Sequence, residues 1–364
     1  MAGVSPVTVS RVINNADYVS EKTRKKVESA IEHLGYIPSA MARGLRLNRT
    51  FTFALILPDI TNAFWTTVSR GVEDAAQDKN YSILLYNVDE DADKQKRAIE
   101  TVYSQQVDGV MIAPHNGDVE QLKLLRHNKV PTVILDRKLD TVADDEWKLD
   151  FVRGDSISGA KALTEHLIQL GHRKIAILSG DMHTSTAKDR VIGYQLALEE
   201  AGIPFDPALA LFGEYRASVG EEMLHQLMET EAEFTAIFAA NNAIGMGVVR
   251  ELMNRKMRIP EDMAVVFYDD YANDGNYFPF FTSIQQQAYE IGKSAAELLL
   301  SRINEKERKP CEIMTPSKLV VRYSCGAYQK EHHETGLSLP VMTDKPLYEE
   351  SFFIKPIINT ELSH

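Results

Sequence analysis

Apolar and polar positions alternate in a regular way along most of this chain. From Phe51 onward, short and continuously apolar runs are separated by segments whose apolar residues recur every three or four positions. The runs at 53–57, 82–86, 110–113 and 132–135 predict strands, and 68–79, 91–105 and 119–127 predict the helices between them. A second series follows. It has a helix over 156–170 closed by Gly171, strands at 175–178, 210–212, 236–239 and 264–268, and helices over 189–201, 218–228 and 243–255. A late amphipathic helix (287–303) and a late strand (318–323) complete the pattern. Strands that are apolar throughout and alternate with helices imply parallel sheets covered on both faces. The reading is an α/β body of two lobes of the same kind, without clear sequence repetition between them.

The first fifty residues follow another rule. Ala2-Gly3 reads as a turn, Ser5 as an N-cap, and Pro6 occupies the first helical position, where its missing N–H costs nothing. Val9, Val12 and Ile13 share one helical face and leave Ser5, Val7, Thr8 and Arg11 pointing outward. A short polar-faced helix after a glycine turn is the pattern of a base-reading helix, and equally of an ordinary amphipathic one. Ser20 then opens a second helix with Lys22, Arg24, Lys25 and Lys26 at its start, and Gly35-Tyr36-Ile37-Pro38 ends it. Residues 39–46 lead out of this head.

Two stretches decide between those readings: AGVSPVTVSRVIN, from Ala2, and YVSEKTRKKVESAIEHLGYIPSAMARGLR, from Tyr18. Together they resemble the DNA-binding end of a LacI/GalR-type (lac-repressor family) transcriptional regulator. The resemblance continues through DITNAFW at Asp59, VPTVILDR at Val130, HLIQLGHR at His166 and LVVRYSC at Leu319, covering roughly residues 2–326. It implies a small all-α helix-turn-helix head and hinge helix over 1–46. It also implies a two-lobed periplasmic-binding-protein-like domain over 47–326, in which the late helix and late strand return to the first and second lobe. The lobes would comprise 51–152 plus 286–316, and 153–285 plus 317–326. Residues 327–364 lie outside the resemblance and read as a loosely ordered extension. The family's pattern places Ser5, Pro6, Val7, Thr8, Ser10, Arg11, Asn14 and Tyr36 at operator DNA. Leu45 would be a minor-groove wedge, with Arg43 and Arg46 on phosphates. Only Met1 stands where the first helix of the motif belongs. With that helix missing, Val4, Val9, Val12 and Ile13 would lack cover, and the expectation is weak, non-specific DNA binding by the chain as numbered.

Charge fits a basic head on an acidic body. The net charge is −12, yet residues 1–50 carry +4 and the remainder −16. No apolar run approaches membrane-spanning length, and no secretory leader precedes the head, so the expected location is cytoplasmic. The two cysteines, Cys311 and Cys325, have no metal-ligand spacing and read as packing residues.

In open parallel sheets, ligands bind beyond the carboxyl ends of the strands. Residues in such places here are Asp59, Asn62, Phe64 and Trp65, then Asp136-Arg137, which could be simply an ion pair. Asp155, Arg190, Tyr215, Asn241 and Asp269 follow in the second lobe. An aromatic pair stacks on a sugar ring or a flat base, unless one member is core. The resemblance implies effector contacts at Phe64, Trp65, Asp155, Arg190, Tyr215, Asn241, Asp269 and Gln286. The chain departs from the family with Asn241-Asn242 in place of Asn-Asp, Phe267 in place of a glycine, and Phe278-Pro279-Phe280-Phe281 in place of a more aliphatic run. A differently shaped pocket is therefore expected.

Nucleophile elbows, phosphate-binding loops and dinucleotide fingerprints do not occur in the sequence, and His332-His333 reads as a solvated pair. No enzyme, metal or cofactor is expected. The leading reading is a homodimeric, ligand-responsive repressor of sugar-utilisation genes. A sugar or sugar derivative in the inter-lobe cleft would alter its affinity for double-stranded operator DNA. A solute-binding protein for uptake and a cytosolic sugar sensor without DNA binding are the alternatives.

Overall fold

The structure is a computed structural model of the 364-residue chain and describes residues 2–13, 18–36, 49–115, 119–139, 149–270, 280–305, 307–328 and 358–359. The head contains α1 (Pro6–Ile13) and α2 (Glu21–Leu34). Gly3 takes a left-handed backbone at φ 63°, and the Ser5 hydroxyl accepts from the Thr8 amide at 3.2 Å. Ser20 caps α2, and Gly35, at φ 56°, ends it. The two helices pack together and bury Val12 and Val27, while Val4, Val9 and Ile13 stay half-exposed. Val12 therefore has cover, contrary to expectation, and α2 contributes to it.

The body has two sheets. In the first, β2 (Ser82–Asn87), β1 (Thr52–Leu57), β3 (Gly109–Ile112), β4 (Thr132–Leu135), β5 (Asp150–Gly154) and β11 (Glu312–Thr315) run parallel, and β13 (Ile358–Asn359) pairs antiparallel with β11. In the second, β7 (Ala210–Gly213), β6 (Ile175–Gly180), β8 (Ala236–Ala239), β9 (Ala264–Tyr268) and β10 (Thr282–Gln286) run parallel, with β12 (Ser317–Val320) antiparallel at the edge. Helices α3 (Ala63–Gln77) and α10 (Ala288–Asn304) cover one face of the first sheet; α4 (Ala92–Ser104) and the short α5 (Lys123–His127) cover the other. The second sheet lies between α6 (Ser156–Gln169) with α7 (Ser185–Glu200) and α8 (Ala217–Met228) with α9 (Asn242–Asn254). This is a two-sheet periplasmic-binding-protein-like architecture.

Within 49–328 the described residues pass between the sheets after Gly154, after Gln286 and after Thr315. The Asp155 amide donates to the Thr315 carbonyl at 3.1 Å and ties two crossings together. Three strands at these crossings, β5, β10 and β11, escape the hydrophobic pattern. Asp150 and Arg153 interrupt β5, and Thr282, Ser283 and Gln286 are buried polar residues of β10. Asp150 is fully buried and accepts from Arg302 at 2.8 and 2.9 Å, from Arg308 at 2.6 Å and from the Cys311 amide at 2.8 Å. That ion cluster lets a carboxylate begin a buried strand. Cys311 and Cys325 are free.

Helices α3 and α10 touch backbone to backbone. A Cβ at Gly71 would stand 2.1 Å from the Tyr289 carbonyl oxygen, and one at Gly292 would stand 2.0 Å from that of Val68. Gly292→Ala forces the pair apart and is expected to cost about 1–3 kcal/mol, as overpacking does. Urea denaturation of the full chain checks this; an unchanged midpoint would show that the helices have room to spare.

Candidate functional site

The strands of both sheets point their carboxyl ends at a shared cleft, which encloses a cavity of about 540 Å³. Of the residues expected at an effector, Phe64, Trp65, Arg190, Tyr215, Asn241 and Asp269 line it. Asp155 and Gln286 do not. Asp155 caps α6 by accepting from the Ser158 amide at 3.1 Å, and Gln286 donates its Nε2 to Asp269 Oδ1 at 2.5 Å. Gln286 thus supports a lining residue from behind. Trp65 belongs both to the core of the first lobe and to the cavity wall, with Phe64 edge-on to it at 4.8 Å.

Arg190 sits in the second turn of α7, almost completely buried. Its guanidinium carbon lies 3.9 Å from the Tyr268 ring centre, Nη1 donates to the Ala240 carbonyl, and Asp269 Oδ2 is 3.6 Å away. Burial opposes its charge, but Asp269, Tyr215 and Tyr268 outweigh burial and hold it firmly protonated. The same burial raises the Asp269 carboxyl, with Arg190 and Gln286 pulling it back.

Several lining residues were not among the expected effector contacts. Asp136 and Arg137, adjacent in sequence, do not simply pair with each other. Arg137 forms a two-pronged ion pair with Glu90, one arm at 2.9 Å. Burial would raise Glu90; Arg137 and His115 overturn that and hold it at about 2. Asp136 is the opposite case. Its Oδ1 is buried with no hydrogen-bond partner, and burial, with Asp269 nearby, pushes it up to about 6 despite Arg190, Arg137 and Arg153. Arg190 Nε and the Tyr215 hydroxyl are likewise buried without partners. Asp89, Glu90, Asp136 and Asp269 all have left-handed backbones, at φ 52°, 54°, 60° and 73°. They are four of the nine described non-glycine residues with positive φ, so backbone strain is concentrated at the cavity. A charged residue directly after an apolar strand was the available sequence signal, and Asp136 carries it.

Phe267 does not reshape the cavity. It stacks on Phe281 at 4.3 Å and fills the space beside Gly245, in the core behind the wall. Of the head residues, Ser5, Pro6, Val7, Ser10 and Arg11 are exposed around α1, Thr8 is half-exposed, and Tyr36 is exposed just beyond α2. Asn14, Arg43, Leu45 and Arg46 lie outside the described residues, as do Phe278, Pro279 and most of the tail beyond Tyr328. Among the described residues there is no helix long and apolar enough to cross a membrane and no acidic, His or Cys group able to hold a metal.

Residues 50–323 match the periplasmic binding proteins and sugar-binding domain of the LacI family, and residues 1–39 match the bacterial regulatory proteins of the lacI family. The chain belongs to the LacI family. This LacI-family transcriptional regulator is 34% identical to the HTH-type transcriptional regulator RegA of Clostridium saccharobutylicum, over 89% of this chain and 96% of that one. It is 33% identical to the ribose operon repressor of Escherichia coli K12, over 84% and 91%. Among solved structures, the transcriptional regulator CelR in complex with cellobiose superposes with a TM-score of 0.69 at 31% identity, covering 89% of this chain and 97% of that one. The lac repressor dimer bound to operator and an anti-inducer superposes with 0.76 at 26% identity, covering 89% and 96%.

The Asp136 carboxyl carries a pH signature. Its pKa in the folded chain lies above the ordinary 3.8, so the folded state holds a proton that the unfolded state has lost. Its contribution to stability is therefore present below about pH 4, falls between about 4 and 6, and stays absent above. Asp136→Asn should remove that slope and raise effector-free stability at pH 7 by up to about 3 kcal/mol. Urea titrations at pH 4, 5, 6 and 7 read it out; parallel curves for both proteins would place Asp136 in a solvated setting.

Proposed function

We propose that this regulator binds an uncharged sugar in the cleft between its lobes, and that occupancy there alters how its head binds operator DNA. The observation that carries the ligand class is the balance of charge around the cavity. Every cation among the described residues lining it already faces a carboxylate: Lys94 faces Asp89, Arg137 faces Glu90, Arg190 faces Asp269 at 3.6 Å, and Arg216 faces Glu214 at 3.0 Å. Asp136 Oδ1 remains without a donor. Among the described residues a phosphate or carboxylate would meet no spare cation, and it would lie beside a buried acid. Hydroxyl groups would give Asp136 its missing donor and give Arg190 Nε an acceptor. Phe64 and Trp65 supply an apolar wall for the C–H face of a ring. Among the relatives, CelR was solved in complex with cellobiose, and a LacI family transcriptional regulator from Enterococcus faecium with bound ribose.

In this reading Arg190, Asp269, Asn241, Tyr215, Phe64 and Trp65 contact the sugar, and Asp136 joins them. Ser5, Pro6, Val7, Thr8, Ser10 and Arg11 of α1 face the major groove. Calorimetry against ribose, cellobiose and further neutral sugars, each beside its phosphate ester, is the test. The neutral form should bind, and the ester should bind at least about tenfold more weakly, since like charges are brought together. Arg190→Ala and Asp269→Ala should each cost about 1.5–3 kcal/mol of binding. Tighter binding of an ester, or full binding by both variants, would refute the site.

Assembly is proposed to be a two-fold dimer. The edge strands β2 and β7 each hold a large apolar side chain in solvent, Leu85 and Phe212, and α9 adds Met246 and Met253. Light scattering should give twice 40.9 kDa, and Phe212→Glu should halve it. A wild-type monomer at micromolar concentration would sink the proposal.

A further inference from the structure

Two helices begin at the cleft and face each other across it. Asn62 caps α3 of the first lobe: its Oδ1 accepts from the Phe64 amide at 3.0 Å. Asn241 caps α9 of the second lobe through the Ile244 amide at 2.8 Å, which leaves the next residue, Asn242, with no capping duty. Asn242 instead spans the gap. Asn62 Nδ2 donates to Asn242 Oδ1 at 3.0 Å, and Asn242 Nδ2 donates to Asn62 Oδ1 at 3.2 Å. Asn242 is 1% exposed. The Phe64 cap fixes which way round the Asn62 amide lies, because an amide N–H needs an oxygen opposite it. The pairing is therefore set by α3 itself.

We propose that Asn62 and Asn242 form a latch that holds the lobes closed over the cavity and so sets how readily the cleft opens. Reciprocity is the essential feature. The amide on each side both gives and takes a hydrogen bond, which a carboxylate cannot do. A carboxylate at either position would lose one bond and set two oxygens against each other. Helix N-termini favour carboxylates, so the helix ends alone give no reason for amides. A second bridge, from Lys138 to Asp189 at 2.8 Å and to the Ser185 hydroxyl at 2.8 Å, is half-exposed and screened by solvent. It steadies the closed arrangement but does not need matched partners.

The latch concerns the same cleft as the proposed sugar site, but its test needs no sugar. Asn242→Asp places an acid in the first turn of α9, where it supports the helix, and removes one latch donor. Asn242→Ala removes both bonds and leaves the Asn241 cap in place. Small-angle scattering of the effector-free, full-length chain should show a larger radius of gyration for both variants, with unfolding midpoints for Asn242→Asp at or above wild type. The closed-to-open ratio should fall roughly tenfold, the effect of about one net hydrogen bond. Unchanged scattering for both variants overturns the latch, whatever the sugar panel gives. An opened variant whose sugar affinity equals wild type also overturns it as the element that sets cleft opening for binding. A panel in which no sugar binds would bear on the ligand reading alone.

Discussion

A guanidinium buried between two parallel sheets is the constraint to which the cleft answers. Arg190 is charged and nearly without solvent, a costly placement unless every side of the group is met. Tyr268 receives it on a ring face, Ala240 on a carbonyl, and Asp269 on a carboxylate. Asp269 is in turn held by Gln286, where the chain leaves the second sheet for α10. The residue that a ligand would grip is thus two contacts away from a crossing between the lobes. Cavity wall and crossing share one chain of polar contacts, in which Gln286 braces Asp269 from behind.

The architecture was legible in the sequence wherever burial is apolar. The strands ending at Leu57, Leu135, Ala239 and Tyr268 show as unbroken hydrophobic runs because both of their faces are covered. The strands at the crossings were not legible, because their burial is polar. Thr282, Ser283 and Gln286 are buried through hydrogen bonds to residues remote in sequence, and Asp150 through two arginines more than 150 positions away. Pattern reading has no access to such partners. The starts of α3 and α7 were also read late, since their first turns carry polar and aromatic residues committed to the cleft.

The site was legible in outline for a related reason. A polar residue just after an apolar strand has few places to go except the cleft, which located Asn241 and Asp269; Arg190 was located as the start of a helix facing it. The division of labour among the carboxylates could not be read that way. Asp136 and Arg137 are neighbours in sequence, and only the fold reveals that Glu90, from the turn after β2, takes the arginine and leaves the aspartate unsatisfied. Asp155 shows the converse. Its place after a strand is right for a ligand, but the helix that follows needs a cap and claims it.

The paired glycines of α3 and α10 give the first lobe a mechanical property. Helix α3 starts at the cavity wall, and α10 ends at Asn304, whose side-chain oxygen receives Arg49, the residue leading out of the head, at 3.1 Å. Asp108 clamps the next two residues, accepting from the Thr50 amide at 2.7 Å and the Phe51 amide at 3.0 Å. Backbones in contact at Gly71 and Gly292 leave no gap through which one helix could slide on the other, so the pair behaves as a single beam. At 1.5 Å per residue, α10 is about 25 Å long, so a tilt of about 5° imposed at its cavity end displaces the other by roughly 2 Å. Such leverage would turn a small adjustment at the cavity wall into a larger displacement at Arg49, where the head joins the body.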